Sequence, residues 1–245
     1  MALSWKPVQP PRPVTLRGRF VTLEPLDANR HSAAIWNAVR GHDEVWTWLA
    51  DGPYANESAL GAALAEKQAS QNAVFLAILP APDGQGPNSP DVPSPSAPSP
   101  DVPSPHPAAG YASYMRIEPA HGVVEVGNIL LSPGLQRTTA ATEAMYLMAR
   151  HVFDDLGYRR YEWKCNADNQ PSRRAALRLG FSFEGIFRQH MVIKDRNRDT
   201  AWFAMLDREW PARKQAFENW LDPANFVAER TQRYRLAAFL QSKRP

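Results

Sequence analysis

The chain has 245 residues, with 28 lysines and arginines against 25 aspartates and glutamates, a net charge of +3. That length can bury a sizeable core, and so mild a charge does not argue for nucleic acid, although it suits an anionic small ligand. The longest aliphatic or aromatic run, Ala73 to Leu79, falls far short of the roughly 20 residues of a membrane span. The amino terminus lacks a charged-then-apolar leader, and the single cysteine, Cys165, excludes an intrachain disulfide and a cysteine-based zinc site. A cytoplasmic protein without metal, membrane or nucleic acid as partner is the expectation.

In chain order, Arg19 to Glu24 alternates like a strand, and Asp27 can cap a helix reaching Val39. Asp43 to Leu49 forms a tryptophan-bearing turn. Asn56 or Ser58 opens a helix to about Gln71. Ala73–Leu79 and Gly110–Ile117 are rich in β-formers, as is Gly122–Leu131. A helix is predicted over Thr139–Leu156, with Gly157 as its stop. A strand follows over Arg160–Asn166, then a helix from Gln170 to Leu179 ended by Gly180. Two strands, Phe183–Ile193 and Thr200–Leu206, are joined by a turn over 194–199. Glu209–Leu221 and Ala228–Leu240 are predicted terminal helices. This order gives an α/β (α+β) fold with a mixed, mostly antiparallel sheet flanked by helices.

Residues 80–107 hold 11 of the 23 prolines, and Asp-Val-Pro-Ser-Pro occurs at 91–95 and again at 101–105. Proline at that density fixes φ and removes donors, which denies both helix and sheet. The stretch reads as an exposed, disordered or polyproline-like loop between two strands that can pair, with a docking role for an SH3-like or WW-like partner as the functional alternative.

Residues 122–181 carry the chemistry. Glu125 lies in a strand that ends at Ile129-Leu130-Leu131. Gln136-Arg137-Thr138-Thr139-Ala140-Ala141-Thr142-Glu143 opens a helix. Asn169-x-x-Ser172 opens another, which ends at Leu179-Gly180-Phe181. This pattern resembles the GNAT acetyltransferase superfamily, and Thr142-Glu143-Ala144, Glu162-Trp163-Lys164 and Asn169-x-x-Ser172-Arg173 most resemble its RimJ/RimL-like, ribosomal-protein N-terminal acetyltransferase group. The resemblance spans about 15–210 and is densest over 122–207. It implies a GNAT fold over 15–221, interrupted by the 81–107 insertion, with an arm at 1–14 and a C-terminal helical extension at 222–245. It also implies strands that splay around acetyl-CoA. Ile129, Leu130 and Leu131 are then expected to offer backbone groups to the pantetheine and thioester. Gln136 to Thr142 would hold the pyrophosphate, and Asn169 and Arg173 the remainder of the cofactor.

A helix start suits phosphate on physical grounds alone, because its first amides are unpaired and its dipole is positive there. The glycines usual in the family motif are here Arg137, Thr139 and Ala141. Between Arg159 and Asp199 ten basic residues face five acidic ones, which also suits a polyphosphate.

Acetyl transfer to an amine needs a neutral amine, a stabilised oxyanion and a proton for the leaving thiolate. The resemblance places Glu125 as general base, with Glu162 as the alternative. The family's usual tyrosine proton donor is replaced by Ala176, which leaves Ser172 either as a proton relay or as an ordinary helix-start serine. His190 touches substrate or is structural. Cys165 is expected to be buried and inert. Trp36, Trp46, Trp48 and Tyr54 line the acceptor pocket or belong to the core. The implied activity is direct acetyl transfer in a ternary complex to a primary amine: a protein N-terminus, a polyamine, an aminoglycoside or another small amine. The competing class is a non-catalytic CoA-binding scaffold. Monomer and homodimer are both open.

Overall fold

Helix starts follow the capping residues. In the computed structural model, which describes residues 4–81, 104–227 and 231–240, Asp27 caps α1 (Ala28–Val39) by accepting from the Arg30 amide. Asn56 caps α2 (Glu57–Gln68) by accepting from the Ala59 amide. The strands are β1 (Leu16–Arg17), β2 (Val21–Pro25), β3 (Ala73–Pro80), β4 (Gly110–Glu118), β5 (Val123–Leu131), β6 (Arg160–Asn166), β7 (Ser182–Ile193) and β8 (Arg196–Leu206). They form one sheet in the order β1-β2-β3-β4-β5-β6-β8-β7. The β5–β6 pair is parallel, while the pairs β1–β2, β2–β3, β3–β4, β6–β8 and β7–β8 are antiparallel. The remaining helices are α3 (Thr139–Arg150), α4 (Gln170–Arg178), α5 (Trp210–Leu221) and α6 (Leu236–Leu240).

The chain divides into two units. The first is Pro11–Met115 with Gly127–Leu147. Its core packs Ile35 and Val39 of α1 and Leu60 and Leu64 of α2 against Phe75, Ala77, Leu79, Tyr111 and Leu130 from the strands. Each such aliphatic or aromatic side chain contributes about 1.5–3 kcal/mol when fully buried. Trp46 is buried in this core, and Trp36 and Tyr54 pack against it, whereas Trp48 is 41% exposed. The proline-rich stretch lies outside the described residues over 82–103. Just after it, the Ser104 amide donates to the buried Glu24 carboxylate.

The second unit is Met1–Pro10, Arg116–Val126 and Met148–Pro245. It is built around aromatic rings, with Phe153 stacked on Trp210 and Phe181 against both Tyr161 and Trp163. The N-terminal arm docks within this unit: the Trp5 indole donates to the Ala120 carbonyl and the Val8 amide to that of Pro119.

Three boundaries differ from the sequence expectation. The helix predicted to Leu156 is regular only to Arg150. It then widens to a π-type turn over His151–Asp155, where the Leu156 amide reaches the His151 carbonyl. The turn predicted over 194–199 shrinks to Lys194 and Asp195, both left-handed (φ 49° and 58°), and β8 therefore starts at Arg196. Of the helix predicted over Ala228–Leu240, 228–230 lie outside the described residues, 231–235 are not helical, and the helix is present from Leu236. Before it, the buried Asn225 side chain donates to the carbonyls of Trp220 and Tyr234 and accepts from the Tyr234 amide, which fixes a non-helical turn.

Candidate active site

Strand register assembles a row of charges on one face of the second unit. Val124 and Val126 turn into the core, so Glu125 between them faces the other way. It pairs in register with Glu162 of β6, and Lys164 lies two residues further on the same face. Lys164 Nζ bridges the two carboxylates, 3.0 Å from Glu125 and 2.6 Å from Glu162. It also lies 3.8 Å from the Trp202 ring centroid, Trp202 being its cross-strand partner on β8. Arg160 continues the row, with Nε 2.6 Å from Glu162 and its two terminal nitrogens on the Glu184 carboxylate. At the other end, Arg116 Nε lies 3.1 Å from Glu125. Arg116 is non-glycine at φ 46° in a strand, just beyond the last β3–β4 pair, Ala73–Met115. A left-handed residue there bends the strand and re-aims its side chain.

Glu125 is 5% exposed. Burial, the largest influence, raises its pKa above the ordinary glutamate value; Lys164 and Arg116 oppose the rise and Glu162 adds to it. Glu162 is also buried, between Arg160 and Lys164. Thus both expected bases share one charged row, and Glu125 lies at the end where the half-exposed Arg116 meets solvent.

The other face of β6 carries Ser172. Trp163 and Cys165 alternate with Glu162 and Lys164, and the Trp163 indole donates to Ser172 Oγ at 3.0 Å. Cys165 is buried as expected, and burial raises its pKa while a hydrogen bond from Ser172 opposes the rise. Asn169 caps α4, its Oδ1 accepting the Ser172 amide at 3.0 Å. That oxygen is committed to the helix, which leaves the side-chain NH₂ group for a ligand. Arg173 donates to the Ala167 carbonyl and lies over the Phe183 ring. Glu125 and Ser172 therefore sit on opposite faces of the sheet and do not touch. β5–β6 pairing stops at Val126–Trp163, although the strands run on to Leu131 and Asn166. The strand beyond that point, with Asn128 at φ 47°, contains Ile129, Leu130 and Leu131.

In the first unit, Thr138 starts α3. Its hydroxyl accepts the Ala141 amide at 3.1 Å and donates to the Leu135 carbonyl at 2.8 Å. The Thr142 hydroxyl donates to the Thr138 carbonyl, and the Gln136 side chain to that of Leu131. The first-turn amides of Thr139 and Ala140 have no intrahelical partner by geometry. Arg137 is exposed at φ 63°, so this departure from the glycine pattern keeps the left-handed backbone that glycine normally supplies. The backbone thus fits an anion at the helix start, with Arg137 adding charge.

The contribution of Arg116 is not visible in the sequence. What re-aims it is a left-handed backbone within the strand, which no glycine, asparagine or proline marks. Arg198 of β8 is missed as well, because its place beside Glu125 depends on the register of three strands.

Comparison with known proteins places this geometry. A model of the acetyltransferase (GNAT) domain matches residues 21–182. The chain belongs to the GNAT acetyltransferase domain family. Among curated proteins it is 31% identical over 97 residues to the ribosomal-protein-serine acetyltransferase of Escherichia coli K12, a stretch covering 40% of this chain and 54% of that relative, so the match spans about half of the relative's length. Among solved structures, a GCN5-related N-acetyltransferase from Brucella melitensis is 42% identical, with 97% of this chain and 98% of that one covered and a TM-score of 0.85. A probable GNAT-family acetyltransferase from Chromobacterium violaceum is 37% identical, covering 86% and 96%, with a TM-score of 0.73. These relatives carry the same fold as the mixed sheet described above. No helix is long and apolar enough to cross a membrane, and no group of three or more His, Cys, Asp or Glu side chains could hold a metal, both among the described residues.

Proposed function

We propose that the protein transfers the acetyl group of acetyl-CoA directly to a primary amine, with Glu125 as the general base. The observation that carries this is a buried carboxylate with a raised pKa at the last rungs of β5–β6 pairing, beside the solvent-reaching Arg116. Acetyl-CoA supplies the activated acyl group. The helix-start amides of Thr139 and Ala140 and the guanidinium of Arg137 suit its phosphates, and Asn169 its pantetheine amides. Glu125 takes the proton from the attacking amine, directly or through water. Lys164 and Arg116, at 3.0 and 3.1 Å, oppose the rise that burial imposes on the Glu125 pKa. Ser172, which accepts from the Trp163 indole, would hydrogen-bond a leaving thiolate by turning its proton away from Cys165.

The acceptor is a protein α-amine or a small amine, on the strength of the similarity to a ribosomal-protein acetyltransferase. Incubation with acetyl-CoA and an amine panel, followed by thiol release and mass spectrometry, tests the reaction. An increase of 42 Da on an amine together with one free thiol per transfer is expected. A protein whose melting temperature rises with acetyl-CoA but which acetylates no amine would be a CoA-binding scaffold instead.

A further inference from the structure

The charged row around Glu125 has a surplus. Arg116, Lys164 and Arg160 alternate with Glu125, Glu162 and Glu184, three cations against three carboxylates in successive ion pairs. A fourth cation, Arg198, faces Glu125 and Arg116 from β8. Its Nε is buried and has no hydrogen-bond partner among the described residues. Residues 198, 200 and 202 share one face of β8 by strand periodicity. That face is also the one of Lys164, because Trp202 pairs with Lys164. Thr200 holds His190 Nδ1 at 2.9 Å, and the Trp202 indole Nε1 is a second buried donor without an acceptor among the described residues.

Guanidinium and indole N–H groups only donate, so the missing partner is an acceptor, and the surplus charge favours an anionic one. Arg116 and Lys164 already crowd one oxygen of the neighbouring Glu125, Oε2, at 3.1 and 3.0 Å, although neither is aligned to hydrogen-bond it. His190 Nδ1 already faces the Thr200 hydroxyl, and an imidazole carries no negative charge to offset the surplus; burial, and then Arg116, Arg198 and Lys164, lower its pKa.

Resting on the acetyl-transfer reading for its purpose, we propose that Arg198, aided by Arg116, forms an anion subsite beside Glu125, and that the acceptor is an amine carrying a carboxylate or phosphate oxygen. The oxygen pairs with the Arg198 guanidinium while the amine lies at Glu125. A polycationic amine meets the wrong sign at this end of the row.

Calorimetric titration tests the subsite without turnover. The probes are matched pairs: β-alanine and its amide, O-phosphoethanolamine and ethanolamine, and the amidated peptides Ser-Asp-Asp and Ser-Asn-Asn. The wild-type protein is expected to bind the anionic member of at least one pair roughly 10- to 100-fold more tightly, the range of one charge-assisted hydrogen bond. The first two pairs report a free small molecule and the third an acidic peptide. Arg198→Gln is expected to erase the preference. Arg198→Lys, which keeps the charge but loses the fork, is expected to keep part of it. Equal binding within every pair, tighter binding of putrescine than of any anionic probe, or a preference that survives Arg198→Gln overturns the subsite, even where acetyl transfer is observed. A preference that Arg198→Gln removes, with no amine acetylated, sustains the subsite and removes the acetyl-transfer reading.

Discussion

Ser172 shows how one side chain can serve structure and chemistry together. Its Oγ is the acceptor for the Trp163 indole, so Ser172→Ala leaves a buried donor unpaired. The expected cost is about 1–3 kcal/mol of stability, measured by urea unfolding, alongside a fall in kcat of about 10-fold or more. Unchanged stability would show that the indole finds another acceptor. A raised KM with unchanged kcat would make the serine a binding residue. At this scale the sequence shows residue types but not their partners. Asn169 is legible as a helix opener, yet the commitment of its oxygen to the Ser172 amide appears only in three dimensions. Arg137 is legible as a departure from glycine, and its left-handed backbone is not.

Elements with local punctuation are legible: Asp27 as a cap, Asn56 as one of two candidate caps, and Gly157 and Gly180 at left-handed helix stops. The β7–β8 hairpin was misjudged because Lys194 and Asp195 occupy positions that normally go to Asn-Gly in a two-residue type I′ turn. The Lys-Asp-Arg-Asn-Arg-Asp stretch therefore looked like a longer polar loop. Each such residue at positive φ carries about 1 kcal/mol of strain. Asp195→Gly is therefore expected to stabilise the protein by about 0.5–1 kcal/mol after the entropy cost of glycine. A lower midpoint in thermal unfolding would contradict the strain assignment. The C-terminal helix was misjudged for the opposite reason, since what delays it is distant in sequence. Asn225 makes three hydrogen bonds, two of them nine residues away. Asn225→Ala is expected to cost about 2–4 kcal/mol, at roughly 1 kcal/mol per bond plus the orphaned backbone groups. Faster amide exchange should then appear at Tyr234, and unchanged exchange there would rule the pin out.

For the molecule as a whole, two buried glutamates link stability to pH. Burial is the leading cause of a raised pKa at both Glu125 and Glu143. At Glu143 the rise persists although the carboxylate accepts the Arg19 and Phe20 amides. Their folded values lie above their unfolded ones. Their contribution is therefore fully present below the unfolded value, about 4.3, and is lost as pH rises through the folded value. Asp51 works in the other direction. Burial raises its pKa, but hydrogen bonds from Lys67 and Tyr54 outweigh that and lower it, so its contribution is lost as pH falls through its lowered folded value. Glu143→Gln should therefore gain stability relative to the wild type as pH rises from 4 to 7. A difference in melting temperature that stays flat across that interval would remove the linkage.

The family was legible because the spacing from Glu125 through Gln136 to Asn169 and Gly180-Phe181 is local sequence. The anion-binding face was not, because it draws residues from β4, β5, β6 and β8 by pairing register. The acetyl-transfer account rests most on Glu125, and the pH dependence of kcat/KM for the amine, compared between wild type and Glu125→Gln, tests it most directly. The account predicts an acidic limb in the wild type, set by a carboxylate titrating above the ordinary glutamate range. In the variant it predicts a rate lower by about 10²–10⁴-fold with that limb gone. A variant that keeps both the wild-type rate and the limb would show that the proton leaves the amine by another route.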